Sequence, residues 1–258
     1  MLGAVLQDVL VHRRDLRTPI PDNFEEQIRL QKIVSFKRRS KYVLMELANE
    51  RVVIIHLGMS GRIRIEEGNP PERDKHDHVE FVLDTRKWIR FGDPRRFGFV
   101  DVIAKDRMLT YPALVKLGPE PLEESFKGAV LYEKSRNKLT SLKAFLMDQR
   151  IVAGLGNIYV NEALYRSGLS PEKQAKSLTK SKADKLVEEI KNVLLEAIEK
   201  GGSSLRDHRQ TDGELGYFQH SFQVYGREGE MCKKCEETTI ERLVQQGRST
   251  FYCPKCQQ

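Results

Sequence analysis

Cysteine is scarce in this sequence: four occur in 258 residues, all of them near the carboxyl end. No apolar run approaches the ~18 residues of a membrane-spanning helix. The first residues, Met1 to Gln7, lack the charged n-region that begins a signal peptide. These absences argue against a secreted disulfide framework and against a membrane protein. We therefore expect an intracellular, soluble protein that does not bind membranes.

The cysteines form two Cys-x-x-Cys pairs, Cys232 with Cys235 and Cys253 with Cys256, and seventeen residues separate the pairs. Two redox dithiols or structural disulfides are the alternatives. Two chelating thiolate pairs on a returning hairpin nevertheless suit a tetrahedral Zn²⁺ better. A ribbon of this size has too little apolar sequence to fold without metal. We predict one structural zinc bound by all four cysteines.

Basic residues indicate a polyanionic partner. The hairpin between the cysteine pairs carries Arg248, a cation on a metal-held loop, which favours a phosphate ligand. Lys and Arg number 44 against 37 Asp and Glu, which gives a net charge of +7 and a pI near 9.2. The segment Lys32 to Lys41 holds five cations and no acid. A charge run is often only a solvated face, so this segment alone leaves both interpretations open.

Period-two alternation dominates up to about residue 105 and predicts short strands. The predicted strands are Arg51–Leu57, Arg62–Glu66, His78–Leu83, Lys87–Phe91 and Phe97–Val102. Short strands punctuated by glycine and proline indicate a sandwich or a barrel. One helix is predicted from Asp22 to Leu30, with Asp22 and Glu25 as a reciprocal cap.

A linker is predicted at Lys116 to Leu122, which contains two prolines and one glycine. Beyond it the apolar period becomes helical. The first predicted helix bears Leu139, Leu142 and Leu146 on one face and ends near Gln149. A glycine-rich turn from Gly154 to Tyr159 leads into a second helix, from Asn161 to Ser167. A long third helix has an apolar stripe from Leu186 to Ile198 and ends at Gly201 and Gly202. The polar segment from Gly202 to Gln223 is predicted to be a mobile loop.

Three turns in the strand-rich half mix polar and apolar side chains. Met59 lies on the turn His56 to Gly61, and two arginines and Phe97 lie on the turn Asp93 to Gly98. Lys75 to His78 forms the third turn. Each turn alone has an ordinary structural interpretation. Apolar wedges beside arginines are, however, what a protein needs to unstack duplex DNA and to fill the gap left by an extruded base.

Taken together and in this order, the motifs resemble formamidopyrimidine-DNA glycosylase, a bacterial base-excision enzyme, over essentially the whole chain. The matching segments are Arg38 to Tyr42, His56 to Gly61, Lys75 to His78, Asp93 to Gly98, Leu117 to Pro121, Leu146 to Asp148, Gly154 to Tyr159, Tyr217 to Phe218, Val224 to Arg227 and the ribbon. The endonuclease VIII type is similar in its helical and ribbon domains. Met59 with Arg95 and Phe97, and the long loop before Gln223, favour the formamidopyrimidine type.

The resemblance implies a multi-domain α+β fold with DNA crossing the cleft between two lobes. The implied domains are a β-sandwich over residues 1–115, a linker over 116–128, a helical helix–two-turn–helix domain over 129–227 with a lesion-side loop at 202–223, and a zinc ribbon over 228–258. We expect the loop at 202–223 to touch the extruded base.

The resemblance also implies roles for individual residues. Lys41 and Arg248 match the catalytic positions, since Lys41 reaches the damaged nucleotide's phosphate and sugar and Arg248 clamps the backbone. The implied DNA contacts are Met59, Arg95 and Phe97, which enter the base stack, together with His76, Lys138 and Asn157. Asn157 would offer its amide and nearby N–H groups to a phosphate at a helix N-terminus.

The implied activity is base excision of oxidised purines (formamidopyrimidine and 8-oxoguanine) from damaged double-stranded DNA, with AP-lyase activity. The implied protein is a monomer of the bacterial cytoplasm, associated with the nucleoid. The sequence departs from the family at its start, because the family's nucleophile is an N-terminal proline followed by glutamate and Met1 to Ala4 hold neither. A start placed too far downstream explains this, and an in-frame Met-Pro-Glu upstream would establish it. The alternatives are a lesion-binding protein without catalysis and a zinc-ribbon transcription factor.

Overall fold

The computed structural model describes residues 1–69, 72–203, 211 and 216–258. These residues form two compact units, one built on Met1–Val115 and the other on Lys116–Gly202 with Tyr217–Gln258. Half of the predicted lesion-side loop at 202–223, and the end of the Gly68 to Pro71 stretch, lie outside the described residues. The predicted α+β class, with a β-sandwich followed by helices and a ribbon, is confirmed.

The first unit is a sandwich of two antiparallel four-stranded sheets, ordered β1-β6-β7-β5 and β2-β3-β4-β8. Its strands are β1 Leu6–Val11, β2 Ile33–Arg39, β3 Tyr42–Leu47, β4 Arg51–His56, β5 Arg62–Glu67, β6 Asp77–Leu83, β7 Lys87–Gly92 and β8 Phe99–Ala104. Alternate residues of both sheets point inward. Val53 and Ile55 of β4, for example, share one core with Val79 and Phe81 of β6.

Two predictions for this unit need correction. The helix predicted from Asp22 to Leu30 is shorter: α1 spans Phe24–Ile28, and no side chain caps it. Glu25 cannot serve as a cap partner because it accepts two hydrogen bonds from Arg14 Nη2, at 2.6 and 2.8 Å. The basic run from Lys32 to Lys41, which the sequence pattern leaves unassigned, is largely strand β2, in which three cations follow one another and only Ile33 is buried.

The second unit contains four helices, α2 Gly128–Ser135, α3 Leu142–Met147, α4 Asn157–Ser167 and α5 Lys180–Glu199. The prediction that Leu139 shares a helical face with Leu142 is wrong: Leu139 is 64% exposed, because Ser141 caps α3 by accepting the Ala144 N–H at 3.2 Å. The start predicted for α4 at Asn161 is also wrong, since the helix begins at Asn157 behind Gly156.

The long predicted helix is confirmed as α5, which begins after the Thr179 cap and buries Leu186, Ile190 and Val193. Ile198, which the sequence pattern assigns to the apolar stripe, is exposed instead. Among the described residues, no helix is at once long enough and apolar enough to cross a bilayer.

The ribbon completes the second unit. Strands β9 Glu241–Gln245 and β10 Arg248–Tyr252 pair antiparallel, with Gln245 opposite Arg248. The two turn residues, Gln246 and Gly247, have positive φ angles of 49° and 71°. This is the geometry of a tight hairpin whose twist matches that of the strands, and it places Arg248 directly after the turn.

Candidate nucleic-acid interface

The three turns of the first unit meet at one buried residue, Asp93. Asp93 is fully buried; its Oδ1 accepts the Ser60 hydroxyl at 2.6 Å and its Oδ2 accepts the Gly98 N–H at 2.7 Å. The backbone N–H of Asp93 donates to the His76 carbonyl at 3.0 Å. We call residues 56–61, 75–78 and 93–98 the turn cluster. Asp93 thus joins the turns that carry Met59, Arg95 and Phe97 through its carboxylate, and the turn that carries His76 through its backbone N–H.

The turn cluster holds its large apolar side chains outward. Met59 is 63% exposed and Phe97 is 45% exposed, and the Arg95 guanidinium lies 5.0 Å from the centre of the Phe97 ring. The close fit of the turns requires Gly58, which has a φ of +64° and whose added Cβ would lie 2.5 Å from the Gly98 nitrogen. Because Met59 and Phe97 are exposed, neither is a core residue, and packing in the core does not explain their presence on these turns.

His56 fixes the start of the Met59 turn. Its Nδ1 accepts the Gly58 N–H at 3.1 Å, and its ring stacks on Phe99 with ring centres 5.7 Å apart. Burial, together with the positive charges of Arg17 and Lys41, lowers the pKa of His56. The neutral imidazole is the form that can accept the Gly58 hydrogen bond, so these surroundings favour the form that the turn needs.

Lys41 lies close to this histidine and is the exposed residue at the tip of the β2–β3 hairpin. The tip consists of Ser40, in the left-handed region at a φ of 54°, and Lys41 itself. Beneath the tip, Tyr42 packs against His56 with ring centres 4.9 Å apart. The first unit therefore carries five of the predicted site residues, and four of them share the turn cluster.

A basic cavity in the second unit brings together two predicted residues. It has a volume of about 420 Å³ and is lined by Lys138 and Arg248, with Thr140, Lys143 and Arg150 among its other residues. Among the described residues, the Arg248 guanidinium has no hydrogen-bond or ion-pair partner. The arrangement suits an anion, because several cations face one open volume.

Sequence reasoning missed Lys143. This lysine is 1% exposed, and its ammonium donates to the Ser249 carbonyl at 2.8 Å and to Thr250 Oγ1 at 2.7 Å. Burial, with the charge of Arg248, lowers its pKa to about 8. The sequence carries no local sign of this burial, because a single lysine in a short helix is ordinarily a surface residue.

Asn157 lies at the first turn of α4 and is not its cap, because Gly156 occupies that position. Its amide Nδ2 donates to the Ser249 carbonyl at 3.0 Å and makes a longer contact of 3.4 Å with Tyr225 Oη. Its buried Oδ1 has no partner among the described residues. Ser249 follows Arg248 in β10. The bond to Ser249 therefore brings α4, which carries the Asn157 amide, against the strand that carries the Arg248 guanidinium.

The four cysteines have the geometry of a zinc site. Their sulfur atoms all lie within 4.8 Å of one another, and Cys232 to Cys256 and Cys235 to Cys253 are each 3.8 Å apart. A tetrahedron with Zn–S bonds of about 2.3 Å has edges of about 3.8 Å. The thiols are not bonded to one another. The residues therefore fit one structural Zn²⁺, and the disulfide alternative is wrong.

Electrostatics in this cluster also call for a cation. Burial opposes ionisation of Cys232, but hydrogen bonds from the Tyr165 hydroxyl and from the N–H groups of Cys235 and Lys234 lower its pKa to about 6. Burial raises the pKa of Cys253, and burial with the neighbouring sulfurs raises that of Cys256 to about 12. A divalent ion is what allows four thiolates to occupy so small a volume.

Comparison with known sequences agrees with this geometry. Three family profiles match in order: the formamidopyrimidine-DNA glycosylase N-terminal domain at residues 1–100, the formamidopyrimidine-DNA glycosylase H2TH domain at 117–209, and a zinc finger found in FPG and IleRS at 229–258. A formamidopyrimidine-DNA glycosylase of Cereibacter sphaeroides is 48% identical over 266 aligned residues, which cover all of this chain and 94% of that protein. The chain belongs to the formamidopyrimidine-DNA glycosylase family.

Solved structures of this family have the same fold. The Lactococcus lactis Fpg in complex with DNA containing an abasic site superposes with a TM-score of 0.90 at 33% identity, covering all of this chain and 94% of that one. The wild-type Lactococcus lactis Fpg in complex with DNA containing N7-benzyl-Fapy-dG gives a TM-score of 0.90 at 34% identity, with 93% of that chain covered. The predicted family is confirmed by these matches, and the predicted zinc by the zinc-finger profile together with the geometry of the four cysteines.

Proposed function

We propose that this protein is a base-excision repair DNA glycosylase with AP-lyase activity that removes formamidopyrimidine and 8-oxoguanine from duplex DNA. The observation that carries the proposal is the turn cluster, in which one buried carboxylate holds two exposed apolar side chains beside arginines. Exposure of Met59 and Phe97 costs stability in the free protein. It is useful where the side chains enter a base stack.

We assign Met59, Arg95 and Phe97 to the gap left when the damaged nucleotide leaves the stack. Extrusion costs roughly a few kcal/mol, which apolar contacts in the vacated space partly offset. We assign the His76 ring to the DNA backbone beside them. The bond between the His76 carbonyl and the Asp93 N–H fixes the position of this residue, and its ring is half-buried at the edge of the same cluster.

The second unit supplies the phosphate contacts. Arg248 is assigned to a phosphate next to the lesion, and Lys138 to a further phosphate at the same basic cavity. Asn157 has one N–H engaged with Ser249, so we assign the other, whose 3.4 Å contact to Tyr225 is long, to the phosphate that Arg248 binds. No side chain caps α4, and its first N–H groups add to the anion site.

Lys41 is assigned to the phosphate and sugar of the damaged nucleotide. AP-lyase chemistry needs an amine that attacks C1′, so that the leaving base is expelled and a Schiff base forms. The described side chains position the DNA, and none of them is assigned as that amine. We further propose that the protein acts as a monomer in the bacterial cytoplasm at the nucleoid, on the strength of its bacterial relatives.

Borohydride trapping tests the proposal. On a duplex with 8-oxoguanine we expect a covalent adduct, whose attached peptide is then identified by mass spectrometry, and none on undamaged duplex. Lys41→Ala should reduce trapping at least tenfold. The matched control is Lys37→Ala, from the same basic run but ion-paired with Glu46 at 2.6 Å.

Two other outcomes contradict the proposal. Tight binding to the lesion without any adduct would identify a lesion-binding protein without catalysis. Binding that follows base sequence and ignores damage would identify a zinc-ribbon transcription factor. Trapping that is equal in Lys41→Ala and Lys37→Ala would leave the enzyme in place but remove Lys41 from its site.

A further inference from the structure

One face of α4 holds the zinc ribbon through three polar side chains. Asn157, Asn161 and Tyr165 are spaced four residues apart, so they align on one side of the helix. Asn157 donates to the Ser249 carbonyl, and Asn161 Oδ1 accepts the Phe251 N–H at 2.7 Å. The third side chain reaches the metal site itself: the Tyr165 hydroxyl lies 3.2 Å from Cys232 Sγ.

The Tyr165 hydroxyl must be the donor in this contact once zinc is bound. A zinc-bound cysteine is a thiolate and has no proton to give. Tyr165 is 4% exposed, and a buried phenol needs a hydrogen-bond partner. Among the described residues, the partner of this hydroxyl is the Cys232 sulfur. The bond joins a neutral donor to an ionised acceptor, which is the stronger class of hydrogen bond.

We propose that Tyr165 is a positioning residue of the zinc site, which donates a hydrogen bond to the Cys232 thiolate and so ties zinc retention to the helix that carries Asn157. Groups outside the ligand shell orient metal ligands and typically affect metal affinity by about 10- to 100-fold. The hydroxyl occupies one lone pair of the sulfur. It therefore lowers the reactivity of that thiolate toward electrophiles and slows its exchange from the metal.

Tyr165→Phe tests this role, because it removes the hydroxyl and keeps the ring that packs with Val224 and Phe251. In the zinc-loaded protein we expect transfer of zinc to a competing chelator to accelerate about tenfold. Tyr225→Phe is the matched control: its ring belongs to the same apolar cluster, and its hydroxyl contacts Asn157, not a cysteine. It should release zinc at the wild-type rate.

Two further readouts separate a hydrogen bond to sulfur from simple loosening of the fold. Alkylation with N-ethylmaleimide, followed by mass spectrometry, should show Cys232 modified first in Tyr165→Phe. Cadmium NMR of the metal-substituted protein should show a changed cadmium shift in Tyr165→Phe alone.

Zinc release within twofold of wild type, with an unchanged cadmium shift, would overturn the proposal. Equal acceleration of alkylation at all four cysteines would also overturn it, because that pattern indicates unfolding of the ribbon. These measurements use no damaged DNA, so they are independent of the proposed glycosylase activity.

Discussion

The turn cluster and the zinc ribbon both present exposed side chains on short turns, but they stabilise those turns in different ways. Among the described residues, the sandwich core beneath the turn cluster contains nineteen buried residues. The cluster around the ribbon has six, of which two are the zinc ligands Cys232 and Cys253. A unit with a large core can hold its turns with one buried carboxylate, whereas a hairpin with a small core needs a metal.

The second difference concerns where the support comes from. Asp93 lies within the turns that it joins, so the cluster is supported by its own unit of the fold. The ribbon is supported from outside, by Lys143 of α3 and by three residues of α4. Damage to either support should therefore have effects confined to one region, and the following predictions test that separation.

The largest effect is expected from Cys253→Ser. Three thiolates and an open site should not retain zinc, so the ribbon unfolds locally. Arg248 then loses its position together with the Ser249 carbonyl that holds Asn157 and Lys143, so the whole basic cavity is disrupted. We expect at least a hundredfold loss of affinity for lesion duplex, measured by fluorescence anisotropy, with near-zero zinc by atomic absorption. Hydrogen exchange in the sandwich strands should remain as in the wild type. Stoichiometric zinc with unchanged affinity would refute the structural role of the metal.

Asp93→Ala should act on the other region. It leaves the Ser60 hydroxyl and the Gly98 N–H without their acceptor, at a cost of about 3 kcal/mol in the free energy of unfolding of the sandwich. We expect affinity for lesion duplex to fall roughly thirtyfold while zinc content stays at one. Asp84→Ala is the control, since that exposed carboxylate accepts a single N–H, from Val5. A stability loss equal to that of the control would contradict the role of Asp93 as the junction.

Phe97→Ala tests whether the turn cluster recognises the lesion or simply touches DNA. We expect about a tenfold loss of affinity for lesion duplex and little change for undamaged duplex, because only an opened stack has room for the ring. Met59→Ala should behave in the same way, to a smaller extent. Phe36→Ala, an exposed aromatic residue of β2 in the same unit, is the control. Equal losses on both duplexes would show that Phe97 does not enter the stack.

Arg248→Ala is expected to have a smaller and less selective effect. A phosphate contact carries little sequence or lesion information, so affinity should fall about fivefold on damaged and undamaged duplex alike. The slope of log K against log salt should decrease by about one, since one fewer counterion is released. Arg242→Ala, whose guanidinium already pairs with Glu228 at 3.6 Å, is the ribbon control. An Arg248→Ala protein with an unchanged salt slope would contradict the phosphate assignment.

The two regions also differ in how much of them the sequence can predict. The zinc ligands follow from local spacing alone, because two Cys-x-x-Cys pairs chelate wherever the chain allows them to meet. The junction at Asp93 cannot be found in that way, because Ser60 and Asp93 are 33 positions apart and only pairing of distant strands joins them. The glycines around Met59 show that a turn is present, but not what it packs against.

Charge conceals structure in a similar way. The strands β4 to β8 are predicted from their apolar and alternating residues, whereas β2 is missed because three consecutive cations, Lys37 to Arg39, leave no alternation to detect. The roles of Lys41, Arg248 and the six DNA contacts come from resemblance to the family and stay predictions. Lys143 was missed because nothing local distinguishes a buried lysine from an exposed one. Its titration provides the last test of the second unit.

The smallest effect is expected from the titration of Lys143. Its pKa of about 8 lies below the ordinary lysine value of 10.5, so it loses its proton first in the folded state. Between those two values the unfolded chain binds the proton more tightly, and the free energy of unfolding should therefore rise with pH. DNA affinity should change in the opposite direction, falling roughly threefold from pH 7 to pH 9, because the basic cavity loses one positive charge. Lys143→Met should remove both trends, whereas Lys134→Met, at a half-buried lysine bonded to the Arg150 carbonyl, should keep them. If the free energy of unfolding and the DNA affinity both fall as the pH rises, the ribbon is loosening and deprotonation of Lys143 is not the cause.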